Sequence, residues 1–174
     1  AVYSMFMFSP TGQIIHAQAF QVAGQIFCTA AHYFKRNKNT VAVEVYREQG
    51  HANHRRKQKI SFDEIYFPHN TDLAFFVMNG IPPGRDLTHF LLKDDATFTS
   101  TSTLTLRRRG CALEHYDIHK THTIRRTLGP EYNNLVAKIW SGYNAGSLTE
   151  VGDCGGLLWT RMERVGPIIL GIHI

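Results

Sequence analysis

The stretch V-G-D-C-G-G-L-L-W at residues 151–159 places a cysteine between glycines, with an acidic residue before it and an apolar run after it. Glycines concentrate where the backbone needs a positive φ or where another group approaches closely. Two interpretations of Cys154 follow: a buried thiol beside a tight turn, or a nucleophile presented at the mouth of a cleft. The rest of the sequence has to decide between them.

Length and composition narrow the class of protein. The chain has 174 residues and three cysteines, which predicts one domain, or two small subdomains, without a disulfide framework. No apolar run approaches the roughly 18 residues of a membrane-spanning helix, and no segment has the features of a signal peptide. We therefore expect a protein of a reducing compartment, with no membrane insertion.

Alternation of apolar and polar residues predicts strands along most of the chain. T-V-A-V-E-V-Y (40–46) places its valines on one face, and T-S-T-L-T-L-R (101–107) alternates leucines with threonines. Further strands are predicted at 16–23, 25–30, 72–78, 134–140 and 165–174. Many short strands at regular spacing favour an all-β protein built as a sandwich or barrel.

One interval interrupts this pattern. N-G-I-P-P-G-R-D (79–86) contains two prolines and two glycines, which break any strand. We therefore predict an N-terminal β-barrel at 1–82, a connector at 83–99 and a C-terminal β-barrel at 100–174.

Two polar residues adjoin predicted strands of the first half. In F-C-T-A-A-H-Y-F (27–34), His32 follows an apolar strand, which is where a general base is held firmly but stays accessible. In H-N-T-D-L-A-F-F (69–76), Asp72 precedes a strand and can accept the imidazole N–H. An ordinary strand-end histidine and a turn aspartate are the alternative interpretations.

A nucleophilic thiol needs backbone N–H groups that hold the oxyanion of the tetrahedral intermediate. The segment Gly152-Asp153-Cys154 can curl so that the N–H groups of Gly152 and Cys154 meet at one point. The Asp153 carboxylate is expected to face away from that point, because its charge would oppose an oxyanion there.

The order His32, Asp72, Cys154, together with T-A-A-H and the G-x-C-G-G motif, resembles the chymotrypsin-like fold and, within it, the 3C and 3C-like cysteine proteases of picornaviruses and their relatives. The resemblance covers about 16–173. It implies two antiparallel β-barrels with the active site in the cleft between them, a Cys-His-Asp triad and no cofactor. It also implies viral polyprotein segments as substrates, in the cytoplasm of a host cell.

The resemblance extends to a specificity pocket. In that family a threonine five residues before the nucleophile and the histidine of G-x-H form the S1 pocket, which binds the amide of a glutamine. Thr149 and His173 occupy those positions here. The family continues beyond this point with a further glycine-rich segment, whereas this sequence ends at Ile174.

The family also carries an RNA-binding motif, K-F-R-D-I, after the strand of the catalytic acid. Arg85, Asp86 and Leu87 match its last three positions, but Pro83 and Gly84 replace the lysine and phenylalanine. Asp86 is also the fallback for the acid of the triad, should Asp72 be misplaced.

A metal is not expected. The related 2A cysteine proteases carry a zinc on three cysteines and a histidine, but this chain has only Cys28 and Cys111 besides Cys154. A second group of metal-ligating residue types fits no structural zinc spacing and consists of Cys111, His115, His119 and His122.

The charge distribution supports an alternative function. The net charge of +5 is concentrated in basic zones at 35–38, 54–59, 107–109 and 124–126, and such zones attract polyanions. The alternative is an RNA-binding β-barrel, in which Arg55, Arg56, Lys57 and the arginines of 107–109 contact phosphates of viral RNA. A solvated surface would account for the same charges.

Overall fold

The computed structural model describes residues 1–40, 42–49, 52–92, 100–107, 113–120, 122–145, 148–162 and 166–174. Within these ranges the strands are β1 (Val2–Phe8), β2 (Ile14–Ala23), β3 (Ile26–Ala30), β4 (Ala42–Gln49), β5 (Ala52–Gln58), β6 (Leu73–Val77), β7 (Ser100–Arg107), β8 (Leu113–Lys120), β9 (Thr123–Thr127), β10 (Val136–Trp140), β11 (Leu157–Met162) and β12 (Gly166–Ile172). Helix α1 spans Ala31–Arg36, and 3₁₀ turns span Phe62–Glu64, Thr88–Phe90 and Pro130–Tyr132. The predicted all-β class is confirmed.

The strands form antiparallel sheets on either side of the connector. The first half makes a six-stranded sheet in the order β5-β4-β1-β2-β3-β6. The second half makes a four-stranded sheet, β12-β11-β7-β8, and a separate ribbon of β9 and β10. That 1–82 and 100–174 are distinct domains joined by 83–99 stays a prediction.

Alternation explains the buried faces of the predicted strands. Val43 and Val45 of β4 and Leu104 and Leu106 of β7 are fully buried. They fill the cores of their respective sheets, because successive side chains of a strand point to opposite faces.

The basic segment H-R-R-K-Q-K is a strand rather than a loop. It belongs to β5, which pairs with β4 so that Val45 lies opposite Arg56. Arg55, Arg56 and Lys57 are all exposed. A strand whose side chains mostly face water lacks the apolar alternation by which strands are recognised, so tertiary pairing was needed to identify it.

The two sheets meet through an apolar layer and a buried arginine. Phe20 and Cys28 of the first half pack in one cluster with Leu157 and Ile169 of the second. Arg107 is 6% exposed, and its guanidinium donates from Nε to the Val2 carbonyl at 2.7 Å and from Nη1 to the Glu48 carbonyl at 3.1 Å. These bonds join β7 to the first sheet.

None of the helices in the described part of the chain is both long enough and apolar enough to span a membrane.

Candidate active site

Strand pairing brings His32 and Asp72 together. Ala30 lies opposite Leu73 in the antiparallel pair of β3 and β6. The residues that follow β3 therefore adjoin the residue that precedes β6. The Ala31 N–H donates to the Asp72 carbonyl oxygen at 2.9 Å, and the first turn of α1 then directs the His32 side chain toward the Asp72 carboxylate.

The Asp72 carboxylate binds His32 at two points. Its Oδ2 lies 2.6 Å from the imidazole Nδ1, and its Oδ1 accepts the His32 backbone N–H at 2.8 Å. Both residues are buried, at 5% and 8% exposure. A buried carboxylate bonded in this way fixes the orientation of the ring and places the second ring nitrogen, Nε2, on the opposite side.

The environment of His32 favours its charged form. Burial lowers the pKa of the imidazole. Hydrogen bonds with Asp72 and with the Cys154 side chain, together with the negative charges of both partners, outweigh burial and raise the pKa to about 9. Cys154 is half-buried, so the thiol contacts the imidazole while part of its surface stays accessible.

Backbone bonds to both sheets hold the loop that carries Cys154. The Gln18 N–H donates to the Cys154 carbonyl at 2.8 Å, and the Gly155 N–H donates to the His173 carbonyl at 2.7 Å. Gly155 has a φ of +96°, and a Cβ there would lie 2.0 Å from the Gln18 carbonyl oxygen. Only glycine permits both this conformation and this close approach.

Two backbone N–H groups beside the thiol have no acceptor among the described residues. Gly152 has a φ of +103°. In the part of the chain that the structure describes, neither the Gly152 N–H nor the Cys154 N–H donates to a protein acceptor. The Asp153 carboxylate is 1% exposed and accepts the Glu150 N–H at 2.9 Å. These two unused donors are suited to an oxyanion.

The predicted S1 residues lie on either side of the nucleophile loop. His173 bonds through its backbone to Gly155 and Gly156, and its Nδ1 lies 2.6 Å from the Tyr143 hydroxyl. Burial lowers the pKa of His173, although the charge of Asp153 acts in the opposite direction. The imidazole is therefore neutral near pH 7.

The Thr149 hydroxyl has an internal partner. It donates to the Ala145 carbonyl at 2.9 Å. Its proton is therefore used within the protein, and its oxygen keeps lone pairs that can accept a hydrogen bond.

The fallback acid lies elsewhere. The Asp86 side chain accepts from the backbone N–H of Thr88 at 2.9 Å and from the Thr88 hydroxyl at 2.6 Å. It is fully exposed. Asp86 caps its own turn, and Asp72 is the carboxylate that His32 contacts.

The predicted RNA-binding residues are only partly available. Arg55 stacks 4.2 Å from the Tyr46 ring centroid, and the Lys57 ammonium lies 3.9 Å from that of Phe8. Arg56 packs on Gly80.

The remaining basic candidates lie apart from β5. Arg85 stacks on Phe90 at 5.2 Å. Arg107 is buried between the sheets, so its assignment to a phosphate-binding surface was wrong. Residues 108–109 lie outside the described residues, as does Cys111.

Three tyrosines near the thiol escaped the sequence analysis. Tyr33 follows His32, and their ring centroids are 4.4 Å apart. Tyr132, from the turn between β9 and β10, meets the His32 ring edge to face at 4.9 Å. Tyr143 is the partner of His173. No local pattern in the sequence links positions 132 and 143 to His32.

Two cavities flank the site. One, of about 530 Å³, is lined by Asp72, Leu73, Tyr132 and Trp140 among others. The other, of about 430 Å³, is lined by His16, Tyr33, Glu150, Val151 and Gly152 among others. The first cavity therefore adjoins the Asp72–His32 pair, and the second adjoins the loop before Cys154.

No protein-family model matches the chain, and no curated protein matches it in sequence. Solved structures are similar in fold. The active form of the Rv3671c protease from M. tuberculosis has a TM-score of 0.60 at 14% identity over 99% of this chain and 75% of that chain. The NS6 protease from murine norovirus 1 has a TM-score of 0.52 at 13% identity over 91% of this chain and 77% of that chain. The fold of this chain is therefore that of the chymotrypsin-like proteases.

Proposed function

We propose that this chain is a cysteine endopeptidase of a picorna-like virus, which cleaves a polyprotein after glutamine through Cys154, His32 and Asp72. The observation that carries the proposal is the buried Asp72–His32 pair, bonded at 2.6 Å, whose imidazole has its pKa raised by Cys154 as well as by Asp72. Beside it, within the described part of the chain, lie the two N–H groups of Gly152 and Cys154 without a protein acceptor. The similar solved structures are themselves proteases, which supports the same reaction class.

In the proposed reaction, the Cys154 proton already resides on Nε2 of His32, whose charged form the site favours, and the thiolate sulfur attacks the carbonyl carbon of the substrate. The S–C bond forms as the carbonyl π electrons move to oxygen. The N–H groups of Gly152 and Cys154 stabilise that oxyanion, at roughly 3–4 kcal/mol per donor.

His32 then protonates the amine as the C–N bond breaks, and the first product leaves. Water, deprotonated by His32, hydrolyses the thioester and restores the thiol. Asp72 keeps the Nδ1 proton on its own side throughout, so Nε2 always faces the reaction.

Glutamine specificity is proposed to come from the neutral His173. If the Tyr143 hydroxyl donates to Nδ1, the ring proton resides on Nε2 and can donate to the carbonyl oxygen of a glutamine side chain. A site built around such a donor rejects substrate side chains that cannot accept a hydrogen bond. The Thr149 hydroxyl donates to the Ala145 carbonyl, and its oxygen is proposed to accept from the amide NH₂ of the same side chain.

The proposal is tested by cleavage of a glutamine-glycine peptide. We expect turnover by the unmodified protein and none by Cys154→Ala. Cys28→Ala is the matched control, because Cys28 is buried and burial raises its pKa to about 12, which leaves its thiol unreactive. Equal turnover by the unmodified protein and Cys154→Ala would refute the assignment.

His173→Ala tests the specificity pocket separately. The variant should lose its preference for glutamine over other residues before the scissile bond. Unchanged selectivity would show that His173 does not bind the glutamine side chain of the substrate.

RNA binding is proposed as a second function of the outer face of β5. Arg55 and Lys57 are exposed, and each is held against an aromatic ring, an arrangement that suits phosphates and stacked bases. Arg56 and Arg85 are the further candidates. The affinity for a viral-type RNA stem should fall steeply as the salt concentration rises, and it should be lower in the double variant Arg55→Ala and Lys57→Ala. Binding that does not depend on salt, or no binding, would exclude this second function.

A further inference from the structure

Gln18 is a buried polar residue of β2 whose side chain lies beside the loop of residues 152–156 that carries Cys154. It is 2% exposed, and buried polar side chains normally have hydrogen-bond partners. Its Oε1 accepts the backbone N–H of Arg107 at 2.6 Å, and its Nε2 donates to the Gly152 carbonyl at 3.5 Å. The side chain therefore joins β7 to the loop of the proposed nucleophile.

The bond with Arg107 fixes which end of the Gln18 amide faces the loop. A backbone N–H can only donate, so the amide oxygen has to lie opposite it, and the NH₂ group points toward Gly152. Arg107 is itself held in place, because the Ser4 hydroxyl donates to its carbonyl and its guanidinium donates to two carbonyls of the first sheet. The direction of the Gln18 amide is thus set from outside the loop.

The Gly152 carbonyl belongs to the peptide unit between Gly152 and Asp153. The N–H of the same unit, on Asp153, donates to the Glu150 carbonyl at 3.2 Å, so the unit is held at both of its ends. The peptide units on either side of it carry the N–H groups of Gly152 and Cys154, which stabilise the oxyanion in the proposed reaction. A rotation of the central unit changes ψ of Gly152 and φ of Asp153, and it therefore alters the angle between the two donors.

The backbone of Gln18 fixes the next part of the loop. Its N–H donates to the Cys154 carbonyl at 2.8 Å, and its own carbonyl accepts the Thr29 hydroxyl at 2.7 Å. One residue of the first sheet therefore bonds the loop at two places, at Gly152 through its side chain and at Cys154 through its main chain.

We propose that Gln18 is a positioning residue of the oxyanion site, whose side-chain amide holds the Gly152 carbonyl so that the N–H groups of Gly152 and Cys154 face the same point. This inference rests on the proposed function. Gln18 touches neither the sulfur nor the substrate in this role, and it acts only through the conformation of the loop.

Gln18→Glu tests the role by replacing the NH₂ donor with an oxygen, while the length of the side chain and the acceptor for Arg107 are kept. A carboxylate oxygen then faces the Gly152 carbonyl oxygen, and their repulsion should rotate the peptide unit. For a glutamine-glycine peptide, kcat should fall by about 100-fold, as when one oxyanion donor is lost. KM should change little, because the S1 residues are untouched.

Gln21→Glu is the matched control. Gln21 is equally buried on β2, at 2% exposure, and its Nε2 donates to the carbonyls of Gly24 and Pro82 rather than to the loop. A carboxylate at either position should lower the stability, but only Gln18→Glu should lower kcat. Gln18→Met and Gln21→Met form a second pair without a buried charge, for the case that Gln18→Glu does not fold. The proposal is overturned if neither Gln18 variant loses more kcat than its Gln21 counterpart.

The pH dependence separates the loss of a donor from a general disturbance of packing. Burial raises the pKa of a carboxyl group, and the protonated carboxyl of Gln18→Glu can again donate to the Gly152 carbonyl. The kcat of this variant relative to the unmodified protein should therefore rise as the pH falls. A lowered kcat whose ratio does not change with pH would ascribe the loss to packing and would overturn the proposal.

Several groups face position 18 and influence the titration of a carboxyl group there. They are His16 on β2, Ser4 on β1, Thr29 on β3, Arg107 on β7, and Asp153 and Cys154 in the loop. Negative charge on Asp153 or Cys154 raises the pKa of such a carboxyl group, and positive charge on Arg107 or His16 lowers it.

Crystal structures of Gln18→Glu and Gln21→Glu at neutral pH test the positioning without any substrate. The peptide unit between Gly152 and Asp153 should be rotated in the first variant and unchanged in the second. If the unmodified protein cleaves no peptide while the unit rotates as expected, the endopeptidase assignment fails and the positioning of the loop by Gln18 stands. If cleavage occurs and the unit is not rotated, only the role of Gln18 is lost.

Discussion

Asp72 binds His32 through both carboxylate oxygens, one to the imidazole Nδ1 at 2.6 Å and one to the backbone N–H at 2.8 Å. The first bond orients the ring, and the second fixes the backbone from which the ring extends. A single carboxylate thus controls both the direction and the position of Nε2, which faces Cys154 in the proposed reaction.

Asp72→Asn should lower kcat/KM for a glutamine peptide by about 100-fold or more, because an amide N–H in place of the carboxylate favours the wrong tautomer of His32. Steady-state kinetics would measure the effect. Asp86→Asn is the control, since the Asp86 side chain is exposed and, among the described residues, bonds Thr88. Equal losses in the two variants would contradict the assigned role of Asp72.

The stability of the protein should fall as the pH rises through the titration of His32. Its pKa is about 9 in the folded protein, against 6.5 for an unperturbed histidine. The folded state therefore binds this proton more tightly than the unfolded state. The resulting stabilisation is complete below pH 6.5 and is lost as the pH rises through about 9.

The difference between these two pKa values corresponds to about 3 kcal/mol of unfolding free energy. Urea denaturation from pH 6 to 10 would measure it by comparing the unmodified protein with His32→Asn. The difference between the two should shrink across this range. Parallel curves would be inconsistent with a raised pKa of His32.

Gly155→Ala should destabilise the protein by about 3–5 kcal/mol, since it combines an unfavourable φ with a collision against the Gln18 backbone. Gly12→Ala is the matched control. Gly12 has a φ of +87° and nothing within 4 Å of an added Cβ, so only the conformational cost of about 1–2 kcal/mol applies. Chemical denaturation of both variants separates the two costs, and similar losses would count against the close contact.

Tyr143→Phe should weaken discrimination for glutamine by about tenfold, because the His173 ring loses the partner of its Nδ1. The effect should fall mainly on KM, since Tyr143 does not contact the scissile bond in the proposed reaction. Competition between glutamine and glutamate peptides provides the measurement. Tyr116→Phe is the control, because that hydroxyl bonds Glu114 on β8.

Tyr132→Ala should admit bulkier side chains next to His32. The Tyr132 ring lies against the imidazole and lines the 530 Å³ cavity beside Asp72, so its removal enlarges that recess. Arg36 supports this position by donating from Nε to the Glu131 carbonyl at 2.8 Å. A peptide library with varied residues before the glutamine would report the change, and an unaltered preference would speak against Tyr132 as a boundary of the recess.

Local patterns in the sequence were sufficient to predict the strands that have one apolar face. They were also sufficient to select His32, Asp72 and Cys154 as candidates. Each candidate adjoins a strand or a glycine turn that is visible in sequence. The strands β1, β5, β8, β9 and β11 were not predicted. Nearly all of β1 is buried, including Tyr3, Met5 and Met7, and β5 is largely exposed, so neither shows a clear alternation.

The sequence by itself determined an all-β chain with a glycine-flanked thiol, since alternation and glycine placement are local properties. Only the tertiary structure decided which groups surround the thiol. The pairing of β3 with β6 placed Asp72 on His32, and the burial of Arg107 between the sheets removed it from the surface. The turn between β9 and β10 brought Tyr132 against the His32 ring. These outcomes depend on contacts between residues far apart in the chain, which no local pattern encodes.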